Sequence, residues 1–181
     1  FYRVNYEGTK KLISSAEQKK LKKILVISSN SPTGCNETPN DIFTEKSKYE
    51  PYMNYGKSKM MMEQFLNEKI NDGLDITIIR PPWFYGENMP ERQRTFYDMV
   101  QKGKFPFVGN GENIRSVANV NNIIQGILLA SIKEISKGKT YWIADDKNLT
   151  MKDIVKTVQS VMTNEFGLKC KKNRVFLPYF F

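Results

Sequence analysis

Three short apolar runs constrain the fold of this chain more than any other feature. They are "KKILVISS" (22–29), "LDITIIRPP" (74–82) and "KTYWIADD" (139–146), each stopped by serines, prolines or aspartates. Continuous runs of this length, rich in β-branched residues, suit strands buried on both faces of a sheet. Helical patterns separate them. Val4, Leu12, Ile13 and Ala16 recur at helical spacing, so residues 3–19 read as an amphipathic helix. A second helix is expected over 54–70, closed by "NDG", a third over "ERQRTFYDMVQKGK", and a fourth over "VNNIIQGILLASIKE" (120–134). Thr150, with Asp153 three residues on, opens a fifth through a near capping box. "FPFVGNGEN" reads as a short strand entering a turn, and residues 30–41 as a loop. Buried strands alternating with amphipathic helices give an α/β fold with a mostly parallel sheet.

Composition narrows the chemistry. The 181 residues carry 28 Lys+Arg against 19 Asp+Glu, a net charge of +9, and no histidine. Without histidine or a paired C-x-x-C, zinc sites and His-based triads are not expected. Cys35 and Cys170 stand alone. A basic excess suits phosphates, nucleic acid or an anionic membrane. No stripe here interleaves cations with stacking aromatics, so the reading is a solvated lysine-rich surface, with no nucleic-acid and no membrane partner. No apolar run reaches the ~20 residues of a membrane span and no signal pattern is present, so the cytoplasm is the expected location. The chain enters at Phe1 directly into helix and ends at "RVFLPYFF", where another apolar element begins, which reads as a piece of a longer protein.

In open α/β sheets, ligands bind beyond the carboxyl ends of the strands. The first strand here ends in Ser28 and Ser29, the second in Arg80 followed by "PPWFYG". Between them lies "YMNYGKSKMMMEQFL" (52–66), where Tyr55 and Lys59, four apart, share one helix face. A phenol ordinarily ionises near pH 10, too high for proton transfer at neutrality. An ammonium held close favours the phenolate. A serine hydroxyl from the neighbouring strand end completes a trio able to move a proton at a substrate oxygen.

These motifs together resemble the extended short-chain dehydrogenase/reductases, the NAD-dependent epimerase/dehydratase group that also takes in 3β-hydroxysteroid dehydrogenase-like enzymes. The segments are "VNYEGTKKLISSA", "KKILVISSNSPTG", "YGKSK", "IIRPPWFYGE" and "NGENIRSVANVNNIIQGILLA", in the family's order over residues 3–165. The resemblance implies a Rossmann-like sheet flanked by helices, here the C-terminal part of that fold. It further implies one partial domain over 1–181, with a small substrate-binding part at about 84–118 and 145–181. Tyr55 would be the general acid/base, Lys59 would bind the nicotinamide ribose, and Ser29 would orient the substrate oxygen, all three being catalytic. Tyr55, Lys59, Pro81, Pro82 and Ser28 would contact the cofactor, NAD or NADP. Ser29, Trp83 and Arg115 would contact substrate, and Asn5 would support the site from the preceding helix.

The implied activity is an oxidoreductase or epimerase acting on a secondary alcohol or ketone, a nucleotide sugar first. A sterol-type or other small-alcohol dehydrogenase is the alternative, and a non-catalytic dinucleotide-binding redox sensor the rival from another class. A homodimer through the helices at 3–19 and 54–70 is also implied. The sequence departs from the family pattern in two ways. Its 11 glycines form no G-x-x-G-x-x-G or G-x-G-x-x-G turn for a pyrophosphate, and "NVNN" stands where the family commonly has an aspartate.

Overall fold

The computed structural model describes residues 1–36, 38 and 41–178. Part of the expected 30–41 loop and the last three residues of the expected C-terminal apolar element lie outside these. The elements run α1 (Thr9–Gln18, preceded by a π-helical stretch Arg3–Gly8), β1 (Ile24–Ile27), α2 (Asn54–Asn71), β2 (Ile76–Arg80), β3 (Trp83–Tyr85), α3 (Glu91–Gln101), β4 (Phe107–Val108), β5 (Ile114–Arg115), β6 (Val117–Asn119), α4 (Val120–Ile132), β7 (Thr140–Trp142), β8 (Leu149–Thr150), α5 (Met151–Asn164) and β9 (Phe176–Leu177). The chain divides into two compact units, Phe1–Phe84 with Ala118–Ala144, and Tyr85–Val117 with Asp145–Phe181.

The first unit is built on a parallel three-stranded sheet in the order β1-β2-β7. Ile24–Ile27 pair with Ile76–Ile79, and Ile78–Arg80 with Thr140–Trp142. All five β2 residues are buried, as a central parallel strand with both faces covered must be. β1 departs from the expectation of a strand buried on both faces. Its residues are half-buried and Ile27 is 42% exposed, because β1 is an edge strand paired on one side among the described residues. The strand at 139–146 contracts to three residues.

Against β2 packs α2, which turns Met62 and Leu66, one helical turn apart, onto Ile76 and Ile78. Ile13 of α1 closes the cluster, with Ile24, Val26, Phe65, Ile70 and Leu74 around it. Each such side chain contributes about 1.5–3 kcal/mol on leaving water. The apolar face expected on the first helix is narrower than its spacing suggested. Ile13 and Ala16 are buried, whereas Val4 and Leu12 are exposed. Asn119 caps α4, its side chain accepting from the Asn121 N–H at 2.9 Å.

In the second unit, β4 pairs with β9 in parallel and β5 with β8 antiparallel. Phe96, Phe105, Phe107 and Phe176 form a chain of ring contacts, with centroids 5.3–5.7 Å apart. The Thr150 hydroxyl accepts from the Asp153 N–H at 3.0 Å, as the capping pattern predicts for the start of α5. No helix among the described residues is long and apolar enough to cross a membrane.

Candidate active site

The site begins where β1 runs out. The Ser28 N–H still donates to Ile79 O at 2.7 Å, which extends the sheet ladder by one residue. The Ser28 side chain is buried, and its hydroxyl has no hydrogen-bond partner among the described residues. Such a group costs roughly 1–3 kcal/mol unless something outside the protein satisfies it. Beyond it the chain tightens into a 3₁₀ turn, Ser31–Thr33. Ser29 Oγ accepts from the Ser31 N–H at 3.2 Å, and lies 3.2 Å from both Asn30 Oδ1 and Ser31 Oγ. Thr33 Oγ1 donates to Asn30 O at 2.7 Å, and Pro32 O accepts from the Glu50 N–H at 3.0 Å. These bonds leave the serine turn little freedom.

That turn lies directly on the start of α2. A Cβ on Gly56 would stand 2.6 Å from Ser31 O, a separation that side chains do not tolerate against backbone. Glycine at 56 is therefore what lets the serine loop reach the residue next to Tyr55. Tyr55 is half-buried, its ring edge-on to Phe1 at 5.5 Å. One turn further on, Lys59 Nζ donates to Ile27 O, the last carbonyl of β1, at 3.0 Å. Burial holds the Lys59 amine below the usual lysine range, and the Glu63 carboxylate pulls it partly back. Asn5 acts one step removed. Its Nδ2 donates to the fully buried Ser58 Oγ at 2.9 Å, and Ser58 Oγ donates to Tyr55 O at 2.7 Å.

Beneath Lys59 sits a buried charge cluster that the sequence patterns did not single out. Glu63, four residues after Lys59, faces Arg80 at the end of β2, with both side chains nearly inaccessible, at 0% and 3%. Arg80 Nε donates to both Glu63 oxygens at 3.0 and 3.1 Å, and Nη2 donates to Oε2. Tyr49 OH donates to Glu63 Oε2 at 2.9 Å and accepts from Asn67 Nδ2 at 3.2 Å. Burial, and then the Glu63 carboxylate, push the Tyr49 phenol up to about 12. The guanidinium lies 5.5 Å from the Tyr49 ring and 5.7 Å from the Trp142 ring, on which Phe43 stacks. Two signals for this cluster were present in the sequence. Glu63 stands among the methionines, phenylalanine and leucine of α2, and an arginine closes the fully buried strand Ile76–Arg80.

Ser28, Ser29, Tyr55 and Lys59 are thus gathered around the end of β1 within the first unit. Pro81 and Pro82, both buried, leave the end of the neighbouring β2, and Trp83 follows half-buried. Arg115 belongs to the second unit, exposed on β5 opposite Leu149. Among the described residues no cluster of His, Cys, Asp or Glu could hold a metal ion, and Cys35 and Cys170 are free thiols.

The chain is 42% identical over 180 residues to an uncharacterized protein, y4nL, of Sinorhizobium fredii, covering 98% of this chain and 51% of that one. It is 31% identical to N-acetyl-alpha-D-glucosaminyl-diphospho-ditrans,octacis-undecaprenol 4-epimerase of Escherichia coli O157:H7, covering 99% and 52%. The chain spans about half the length of the curated relatives it matches. The fold overlays that of a Bacillus anthracis dTDP-glucose 4,6-dehydratase in complex with NAD, with a TM-score of 0.80 at 20% identity over 98% of this chain and 56% of that one. The sequence model of one family matches residues 1–144, and on that match the chain belongs to the NAD dependent epimerase/dehydratase family.

Proposed function

We propose that this chain supplies the acid/base centre of an NAD(P)-dependent oxidoreductase or epimerase acting on a secondary alcohol or ketone of a nucleotide sugar. The observation that carries the reading is the Lys59 amine bonded to the last carbonyl of β1, one helical turn from Tyr55, with the serine turn seated on Gly56. The substrate class draws support from two of the named proteins. The Bacillus anthracis structure is of a dTDP-glucose 4,6-dehydratase with NAD, and the Escherichia coli relative is named for a sugar joined through a diphosphate to undecaprenol, which shares the sugar diphosphate though not the nucleoside.

The residues present fit the nicotinamide end of the cofactor. The buried Ser28 hydroxyl has no partner among the described residues, and the Lys59 amine, bonded to Ile27 O and weakly to Met62 Sδ, keeps a third N–H for a ribose hydroxyl. Pro81 and Pro82, with no backbone N–H to desolvate, would offer the ring an apolar neighbour at the end of β2. The sequence holds no Gly-rich turn for the pyrophosphate, so that contact is not assigned to any residue here. When bound, the nicotinamide supplies the hydride acceptor or donor. Tyr55 takes the proton from the substrate hydroxyl as its carbon is oxidised, and returns it on reduction. Lys59 stabilises the phenolate that this requires, and Ser29 donates a hydrogen bond that holds the substrate oxygen beside the phenol. In the second unit, Arg115 is the candidate for the substrate's diphosphate.

The complete protein, incubated with NAD or NADP and a panel of nucleotide sugars, is expected to convert one of them. Tyr55→Phe lowers that turnover by roughly 10²–10⁴-fold, the usual contribution of a positioned acid/base, and leaves cofactor binding largely intact. Turnover unchanged in Tyr55→Phe would remove the assignment.

A further inference from the structure

Two basic segments far apart in sequence, "QKGK" at 101–104 and "KCKKNR" at 169–174, are drawn together in the second unit. The Lys171 N–H donates to Gln101 O at 2.9 Å and the Arg174 N–H to Gly103 O at 3.3 Å. Gln159 Nε2 bridges Val100 O and Lys171 O at 3.1 and 3.0 Å, and Asn173 Nδ2 donates to Phe105 O at 2.7 Å. The backbones meet so closely at Gly103, where φ is +64°, that a Cβ would stand 2.5 Å from Lys172 O. A close approach in a left-handed conformation is what requires glycine there.

The outcome is a concentrated positive face. Lys102, Lys104, Lys169, Lys171, Lys172 and Arg174 are all exposed. Among the described residues only Lys102 has a carboxylate within ion-pair distance, Asp98 at 3.8 Å, and that pair is well exposed on both sides. The residues 166–174 contain four cations and no carboxylate, with Glu165 the nearest in sequence. Close to these cations in sequence stand large apolar side chains that remain exposed. Phe166 is 69% exposed, Phe176 57%, Leu168 42% and Leu177 38%. Aromatic and aliphatic side chains projecting among lysines are the composition of a surface that lies in a bilayer interface. Nucleic acid would use the cations and could stack on the phenylalanines, but Leu168 and Leu177 gain from it nothing that an acyl boundary offers.

We propose that this face of the second unit docks peripherally on a membrane bearing anionic phospholipid headgroups. The six cations lie among the headgroup phosphates, while Phe166 and Leu168, 69% and 42% exposed, enter the acyl boundary. The proposal goes beyond the catalytic reading and does not depend on it, since its test needs no turnover.

The complete protein is mixed with sedimentable vesicles of phosphatidylcholine alone, or with about one third phosphatidylglycerol, and the bound fraction is measured over a salt series. Binding is expected only with the anionic lipid, weakening as salt rises. Each basic residue near an anionic surface strengthens binding about fivefold, so the triple change Lys169→Gln, Lys171→Gln, Lys172→Gln should weaken it about a hundredfold. Phe166→Ser with Leu168→Ser should lower the binding that survives high salt, a fraction that charge alone does not explain. Every substituted side chain is exposed, and circular dichroism confirms that the fold is kept. Equal binding to both vesicles overturns the proposal, as does binding indifferent to the triple change. Tighter binding to an RNA or DNA oligonucleotide than to the anionic vesicles, indifferent to the two serine changes, overturns it in favour of nucleic acid.

Discussion

Glu63→Gln offers the sharpest test of how the candidate site is supported. The substitution keeps the side chain's size and removes its charge. Glu63 now receives three contacts from Arg80 and one from Tyr49, shared over two oxygens. A glutamine presents one oxygen and one NH₂. If the oxygen takes the Oε1 position, the NH₂ meets the donors Arg80 Nη2–H and Tyr49 O–H. If it takes the other, the NH₂ faces the Arg80 Nε–H. Either way at least one donor opposes a donor, and the guanidinium, 3% exposed and with no partner for Nη1 among the described residues, loses its counter-charge. Removing one partner of a pair this buried costs about 3–5 kcal/mol. A surface pair would cost no more than about 1 kcal/mol. Urea unfolding of the complete protein measures the difference. The companion is the double change Glu63→Met, Arg80→Met, which removes both charges. It should lie within about 2 kcal/mol of the parent, since buried ion pairs replaced by apolar side chains are often neutral or better. The lost guanidinium–ring contacts with Tyr49 and Trp142 account for most of the remainder. A Glu63→Gln cost below about 1 kcal/mol, or a double change as costly as the sum of the two single ones, would refute the reasoning.

Three further outcomes follow from other contacts. The Tyr49 phenol, at about 12 when folded against 10.0 as the ordinary value, holds its proton more tightly in the native state than in the unfolded chain. The stability it contributes is present below pH 10.0 and lost as pH rises through about 12. Discounted for partial exposure, the loss is about 1–2 kcal/mol, and it should vanish from the alkaline limb of the stability profile in Tyr49→Phe. Gly56→Ala forces Ser31 O to move, so it should cost about 1–3 kcal/mol and depress turnover beyond what that instability explains, as a kcat fall at saturating substrate. Thr150→Ala removes the cap of α5 and should cost about 1 kcal/mol by urea unfolding, with no effect on cofactor binding.

The order of helices and sheet strands was legible in the sequence because each is set by contacts within a few residues. Alternation of apolar runs, Gly73 after α2 and the Thr150 cap are all local signals. The two-residue strands β5 and β8 were not, since a pair of residues carries no period. Nor could local pattern reveal that Val4 and Leu12 would face outward. Burial depends on what packs over a helix, and only the stripe holding Ile13 and Ala16 meets α2 and β2. The same distinction divides the candidate site. The Tyr55–Lys59 spacing is a property of one helix and could be read directly. That Lys59 would bond the end of β1, that Gly56 would seat the serine turn, and that Glu63 would meet Arg80 are tertiary facts joining residues 17 to 32 positions apart. The basic face made by residues 102–104 and 169–174 escaped for this reason too, its cations appearing dispersed until backbone bonds bring the segments together.

The placement of these tertiary contacts says something about how the site keeps its shape. α2 carries Tyr55 and Lys59 on its first two turns, and Glu63 and Leu66 directly below them. Lys59 is tied to β1 and Glu63 to the end of β2, so the helix is fixed to both strands at whose ends the candidate site lies. A rigid-body shift of α2 that displaced Tyr55 by even an ångström would have to stretch a lysine–carbonyl bond and a buried ion pair together. Charge–charge bonds in a dry interior are directional where apolar packing is not. A core of leucine and methionine alone would hold α2 against the sheet but would let it slide along its axis, and the Glu63–Arg80 pair is what resists that sliding. On this argument Glu63→Met, Arg80→Met, though nearly as stable as the parent, should turn over substrate more slowly than its stability suggests. A double variant with undiminished turnover would show that apolar packing suffices to set the register of α2.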